Sequence, residues 1–193
     1  MKHLFLALSF LLAPLNAVLA SPSVQLLPSS NNISVGNIFS VDVVFSAGLA
    51  GINTPDELLA FGLNAISSNN ISFISGSVNT SIFSFDDSAL LGLTAAGSAF
   101  PSILVDSGTA NFTLATLTFQ ALTAGLANIS VQSDLADGNQ GLFFLAFDNA
   151  VNINGSIDLN IAAVPLPAAM LLFLSGFGLT GLGSLRALKT KRS

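Results

Sequence analysis

Val151-Asn152-Ile153-Asn154-Gly155-Ser156-Ile157-Asp158-Leu159-Asn160-Ile161 alternates apolar and polar residues over its whole length, with Gly155 on the apolar side. Successive side chains of a strand point to opposite faces, so this stretch reads as a strand with one face in a core and the other in water. The same period recurs upstream. Phe39, Val41, Val43 and Phe45 alternate with Ser40, Asp42 and Val44; Leu59, Phe61, Leu63 and Ala65 form another apolar face; Ala127, Ile129 and Val131 alternate with Asn128, Ser130 and Gln132. Shorter runs at Val24–Leu27, Ile71–Ile74, Ile82–Phe85, Ile103–Val105 and Leu142–Phe147 fit between them, and Phe112–Ala121, rich in threonine and phenylalanine, favours strand. Turn signals such as Gly36-Asn37, Ala124-Gly125 and Asp137-Gly138-Asn139 separate the runs. About nine or ten short strands so spaced predict an all-β, antiparallel β-sandwich.

Composition narrows the chemistry. Only 8% of the 193 residues are charged, against roughly 25% in an ordinary soluble chain. That is too few charges for a nucleic-acid binder. Cysteine is absent, which excludes disulfides, thiolate metal sites and cysteine catalysis. The charges are also segregated. The basic residues are Lys2, Arg186, Lys189, Lys191 and Arg192, the one histidine is His3, and all ten acidic residues lie from Asp42 to Asp158. Residues 21–164 therefore carry ten carboxylates and no cation. Mutual repulsion predicts raised carboxyl pKa values in the fold, and stability that grows from neutral pH toward about pH 5. Twelve phenylalanines in the same span are the expected large core pieces, since tryptophan and tyrosine are absent.

Both ends read as membrane signals. Met1-Lys2-His3, the apolar run Leu4–Leu12 and the small-residue end Val18-Leu19-Ala20 form a signal peptide over 1–20, with cleavage by signal peptidase after Ala20. Ala168 to Leu185 is uncharged and spans about 27 Å as a helix, enough to cross a bilayer. The basic tail Arg186, Lys189, Lys191 and Arg192 follows, which places the C-terminus inside and residues 21–163 outside. Pro165 and Pro167 hold the segment before the helix extended.

Val164-Pro165-Leu166-Pro167-Ala168, followed by the apolar span and the basic end, resembles the VPLPA variant of the PEP-CTERM sorting signal over residues 164–193. The resemblance implies a Gram-negative bacterium that makes exopolysaccharide, recognition by an exosortase, and removal of the tail from an inner-membrane-anchored precursor. The product would lie at the cell surface or in the extracellular matrix. Residues 21–163 resemble cohesin-like domains, which implies a jelly-roll sandwich. Val35-Gly36-Asn37-Ile38-Phe39-Ser40-Val41-Asp42-Val43-Val44 is similar to that family's opening glycine turn and first long strand, and Phe112–Gly125 to its late strand and turn.

Candidate chemistry is sparse. Without internal His, Cys, Lys or Arg there is no nucleophile–base triad, Schiff-base lysine or phosphate clamp. Asp56-Glu57 and Asp86-Asp87 are adjacent carboxylates, which on a strand point to opposite faces. Asp134, Asp137 and Asn139 supply hard oxygen donors suited to calcium, although an Asx-rich turn is the reading their spacing favours; no other cofactor is expected. Two function classes follow: a non-catalytic surface or matrix protein, or a module that binds polysaccharide or a surface protein within biofilm. The lack of Trp and Tyr platforms favours the first.

Overall fold

A computed structural model describes residues 23–52, 54–106 and 110–164. The signal cleavage at Ala20, the motif residues Pro165–Ala168, the helix over 168–185 and the basic tail Arg186, Lys189, Lys191 and Arg192 lie outside the described residues. No helix among the described residues is long and apolar enough to cross a membrane.

The described chain is a two-sheet β-sandwich. One sheet has the order β1 (Val24–Pro28), β3 (Ile38–Ser46), β8 (Asn111–Ala121), β5 (Ile71–Val78). The other runs β2 (Ile33–Ser34), β11 (Asn154–Ala162), β9 (Gly125–Gln132), β4 (Asp56–Ser67), β7 (Ala95–Val105), β6 (Phe85–Asp86), and β10 (Gly141–Phe144) joins it at β4. Pairing is antiparallel throughout except for β2, which lies parallel to β11 through Ile33↔Ile161 and Ala162↔Ser34. Both edges of β4 are used. Asp56–Leu63 pairs with β7, while the other edge pairs with β10 from Leu58 to Gly62 and with β9 from Asn64 to Ser67.

The alternating runs place their apolar residues inward as expected: Phe39, Val41, Val43, Phe45, Ala127, Ile129, Val131, Leu159 and Ile161 are buried. Four expectations need correction. Ile103–Val105 is only the end of β7, which starts at Ala95; its Ala-Gly-Ser start offers no period to read. Ile82–Phe85 is a turn closed by the Asn79 carbonyl, with strand only at Phe85–Asp86. The run Leu142–Phe147 leaves its strand at Phe144. Leu59 is exposed and Leu58 buried, because the β4–β7 register breaks between Leu58 and Ala60 and the alternation changes phase there.

Phenylalanine fills the core, with Phe45, Phe61, Phe83 and Phe119 fully buried. The Phe61 and Phe83 rings meet edge to face at 4.8 Å, and Phe45 meets Phe112 at 5.1 Å, geometries that add to their area burial. The whole core cluster lies between Val24 and Ile161. The size of this unit suffices for independent folding.

Gly62 sets how a loop lies on the sheet. A Cβ there would stand 2.0 Å from the Asn139 carbonyl oxygen, so the turn at 137–139 rests flat on the outer side of β4. Gly62→Ala should cost about 1–3 kcal/mol, seen as a fall of several degrees in Tm. Gly138→Ala, whose Cβ would meet nothing within 4 Å, should stay within about 0.5 kcal/mol. Equal effects of the two substitutions would refute this packing.

Candidate docking face

Directly paired residues share a face, so register identifies what the second sheet shows to solvent. Leu58 is buried and pairs with Ile103, so the neighbouring pair Glu57↔Leu104 points outward. Leu145 extends this row, its amide donating to the Glu57 carbonyl at 2.9 Å. A second outward row crosses four strands as Phe143, Ala60, Ser98 and Phe85. Between the rows stand Leu59 and the bulged segment of β7 with Phe100. Phe85 is 57% exposed, Phe100 83%, Leu104 66% and Leu145 63%. Together with Leu59 this is on the order of 500 Å² of apolar surface, as large as the largest patch of a typical monomer, which is often functional. Beside it a groove of about 250 Å³ lies between Leu91, Asp87, Ala60, Phe143 and Asn139.

The rim is acidic. Glu57 lies in the first row and accepts the Ser102 hydroxyl. Asp56, its neighbour, points the opposite way and is buried; Oδ1 accepts the Glu57 and Ala146 amides at 2.7 and 3.1 Å. The adjacent carboxylates thus do face apart. Asp86 accepts the Ser88 hydroxyl at 2.6 Å, and Asp87 Oδ2 accepts that of Ser98 at 2.7 Å. Burial pushes the Asp86 carboxyl up, but hydrogen bonds from the Ser88 hydroxyl and amide and the Val78 amide outweigh it, and the pKa lies below the ordinary 3.8.

The calcium candidates form a turn that borders the same groove. Asp137 accepts from the Gln140 and Asn139 side-chain amides and the Asn139 backbone N–H, and Asp134 Oδ1 accepts the Ala136 amide. The Gln140 bond first, then the Asn139 amide, hold the Asp137 carboxyl below 3.8. These oxygens cap the loop's own donors, and among the described residues no group of three or more His, Cys, Asp or Glu is placed to hold a metal. Val164, the one described residue of the sorting motif, is exposed beyond the end of β11.

Alternation does not single out Phe85, Phe100, Leu104 and Leu145, and it assigns Leu59 to the inward side. A signal for them exists. Ile103-Leu104-Val105 and Leu142-Phe143-Phe144-Leu145 are unbroken apolar runs, and in a sandwich strand with one face in the core such a run puts an apolar side chain on the other face as well.

No protein-family model matches the sequence, and no curated protein matches it. Among solved structures, the domain is similar to a cohesin module from a Clostridium perfringens family 33 glycoside hydrolase, at 10% identity over 72% of this chain and 98% of that one, TM-score 0.47. It is also similar to a non-cellulosomal cohesin from the archaeon Archaeoglobus fulgidus, at 13% identity over 77% and 96%, TM-score 0.39. A third is BslA, a bacterial hydrophobin, at 12% identity over 75% and 95%, TM-score 0.38.

The two resolved carboxyl shifts run downward, against the repulsion expected from the charge count. A folded pKa below the unfolded value stabilises the fold above the unfolded value and loses that contribution as pH falls through the folded one. Thermal stability should therefore show no gain on mild acidification from these two groups, and should fall below pH 3.8. Ser88→Ala should raise the Asp86 pKa, followed by carboxyl NMR titration. A Tm that climbs steadily toward pH 5 would restore repulsion as the dominant effect.

Proposed function

We propose that this chain is a non-catalytic, exported cell-surface protein whose sandwich is a protein-binding module. The observation that carries the reading is the apolar outer face of β10–β4–β7–β6. Leu104, Leu145, Phe85 and Phe100 are each more than half exposed there. The absence of His, Cys, Lys and Arg from residues 21–164 supports a role without catalysis. Partner chemistry follows from charge: Glu57, Asp86 and Asp87 edge the face, and none of the described residues is cationic. A partner with apolar anchors flanked by Lys or Arg fits, whereas a second copy would bring like charges together.

Orientation supports the same role. Ile161 pairs with Gly125, Ser67 with Ile129, and the apolar rows sit near Glu57. At about 3.3 Å per residue the chain exits roughly 40 Å from the face, at the opposite end of the sheet. A precursor anchored through 168–185 would hold the exit end at the bilayer and the face outward. The C-terminal segment Val164–Ser193 then serves as the exosortase-read address that the VPLPA resemblance implies.

Two measurements test the two halves of the proposal. Peptides selected on the immobilised 23–164 domain from a random displayed library should combine apolar anchors with Lys or Arg. They should bind the Leu104→Ser/Leu145→Ser variant at least about tenfold more weakly at unchanged Tm. Selected peptides indifferent to the variant would sink the docking face. For the address, intact mass of the mature protein from its native host should end near Val164–Ala168. A mature species that keeps Arg186 to Ser193 would leave a simple membrane anchor.

A further inference from the structure

The outer face of the other sheet is chemically unlike the docking face. Register lines up Ser40, Thr118 and Ser75 across β3, β8 and β5, and next to them Asp42, Thr116 and Ser77. Their inward neighbours Val41, Val43, Leu117 and Phe119 are fully or almost fully buried, so both rows point to solvent. The second row borders a shallow, open cleft of about 410 Å³, which the turn Asn79-Thr80-Ser81 also lines. That volume lies within the range of small-ligand sites, about 300–1,000 Å³.

The cavity is built rather than incidental. Asn79 is clamped from both ends, its Nδ2 donating to the Thr113 carbonyl at 3.0 Å and its Oδ1 accepting the Ser81 hydroxyl and amide. Thr116 Oγ1 donates to Asp42 Oδ1 at 2.6 Å, which fixes the carboxylate. The groups left over converge on the cavity. Asp42 Oδ2 and the hydroxyls of Ser77 and Thr80 make no hydrogen bond among the described residues. They offer one anionic acceptor and two hydroxyls that can donate or accept.

We propose that this cavity binds a neutral saccharide unit, held by hydrogen bonds from its hydroxyls to Asp42, Ser77 and Thr80. No lining group is cationic, so an anionic sugar would meet Asp42 unpaired and be repelled. No aromatic ring lines the cavity, so the usual stacking on a sugar ring is missing. Hydrogen bonding alone gives weak binding to one unit, and useful retention requires a polymer that presents many units. A polymeric, uncharged glycan is thus the fitting ligand class. The site lies on the sheet opposite the docking face, so either proposal can fail without the other.

The test is amide NMR of the 23–164 domain titrated to high millimolar with cellohexaose, laminarihexaose, mannohexaose and isomaltohexaose, with hexagalacturonate as the anionic probe. Shift changes should concentrate at Ser77–Ser81, Thr113 and Thr116 for at least one neutral oligomer and be absent for hexagalacturonate. Ser77→Val, which removes a hydroxyl with no partner in the protein, and Asp42→Ala should each weaken binding, the latter by about tenfold or more since it removes a charged acceptor. Failure of all four neutral oligomers to move these amides would overturn the proposal. So would binding equal in both variants, shifts confined to the opposite sheet, or preference for the anionic probe.

Discussion

Ten carboxylates share one domain with no cation, and much of the surface follows from that constraint. A carboxylate without an ion-pair partner must be solvated or take neutral donors. Among the described residues, eight of the ten take donors inside the protein: Asp42, Glu57, Asp86 and Asp87 from hydroxyls, Asp137 and Asp158 from side-chain amides, Asp56 and Asp134 from backbone N–H groups. Such bonds hold the carboxylates in place without an ion-pair partner, and solvent screening weakens them where the group is exposed. The Ser, Thr and Asn that cover the strands are thus the counter-groups of the acids. Asp56 is the extreme case. It is 6% exposed, spends one oxygen on the Glu57 and Ala146 amides, and leaves Oδ2 without a partner. Its bond to Ala146 ties the segment after β10 to the start of β4, and so holds Leu145 beside Glu57 in the apolar row.

With attraction between charges excluded, cohesion falls to apolar burial and the strand ladders. The four register breaks, at Val43/Val44, Leu58/Ala60, Phe73/Ser75 and Phe143/Phe144, show how the chain spends its alternation. A bulge changes which face a residue serves. At β4 and β7 it keeps Leu58 and Ile103 in phase with the core on one side and Phe61 and Gly97 on the other. Leu59 and Phe100 are what is left between, and they stand outside. The apolar face is therefore produced by the same register break that lets a long strand pair follow the sandwich.

Alternation made the strands legible where one face is buried and the other wet. Phe39 to Phe45 and Ala127 to Val131 were readable to the residue, because polar partners mark the phase. It failed where the physics differs. The start of β7, Ala95-Ala96-Gly97-Ser98, is small because Gly97 lies against Phe61 and Val78, with a Cβ there only 2.7 Å from Val78; close approach of the sheets erases the period. The docking face was hidden because an apolar residue is read as inward by default. Its hydroxyl counterpart was hidden because Ser and Thr on a strand look like ordinary wet faces until register aligns them. The parallel pairing of β2 with β11 rests on Ile33 and Ser34 alone, too short a run to carry a pattern.

The two outer faces sit on one rigid core but ask for opposite partners. One removes Phe85, Phe100, Leu104 and Leu145 from water and answers cationic rims; the other exchanges water for hydroxyls around Asp42. Neither overlaps the end of β11 at Ala162, so occupation of one leaves the other open. If both proposed faces bind, the domain bridges its two partners. Weak contact to each unit of a polymeric glycan multiplies along the chain, while a folded partner on the opposite sheet is held at a fixed distance by the core between them.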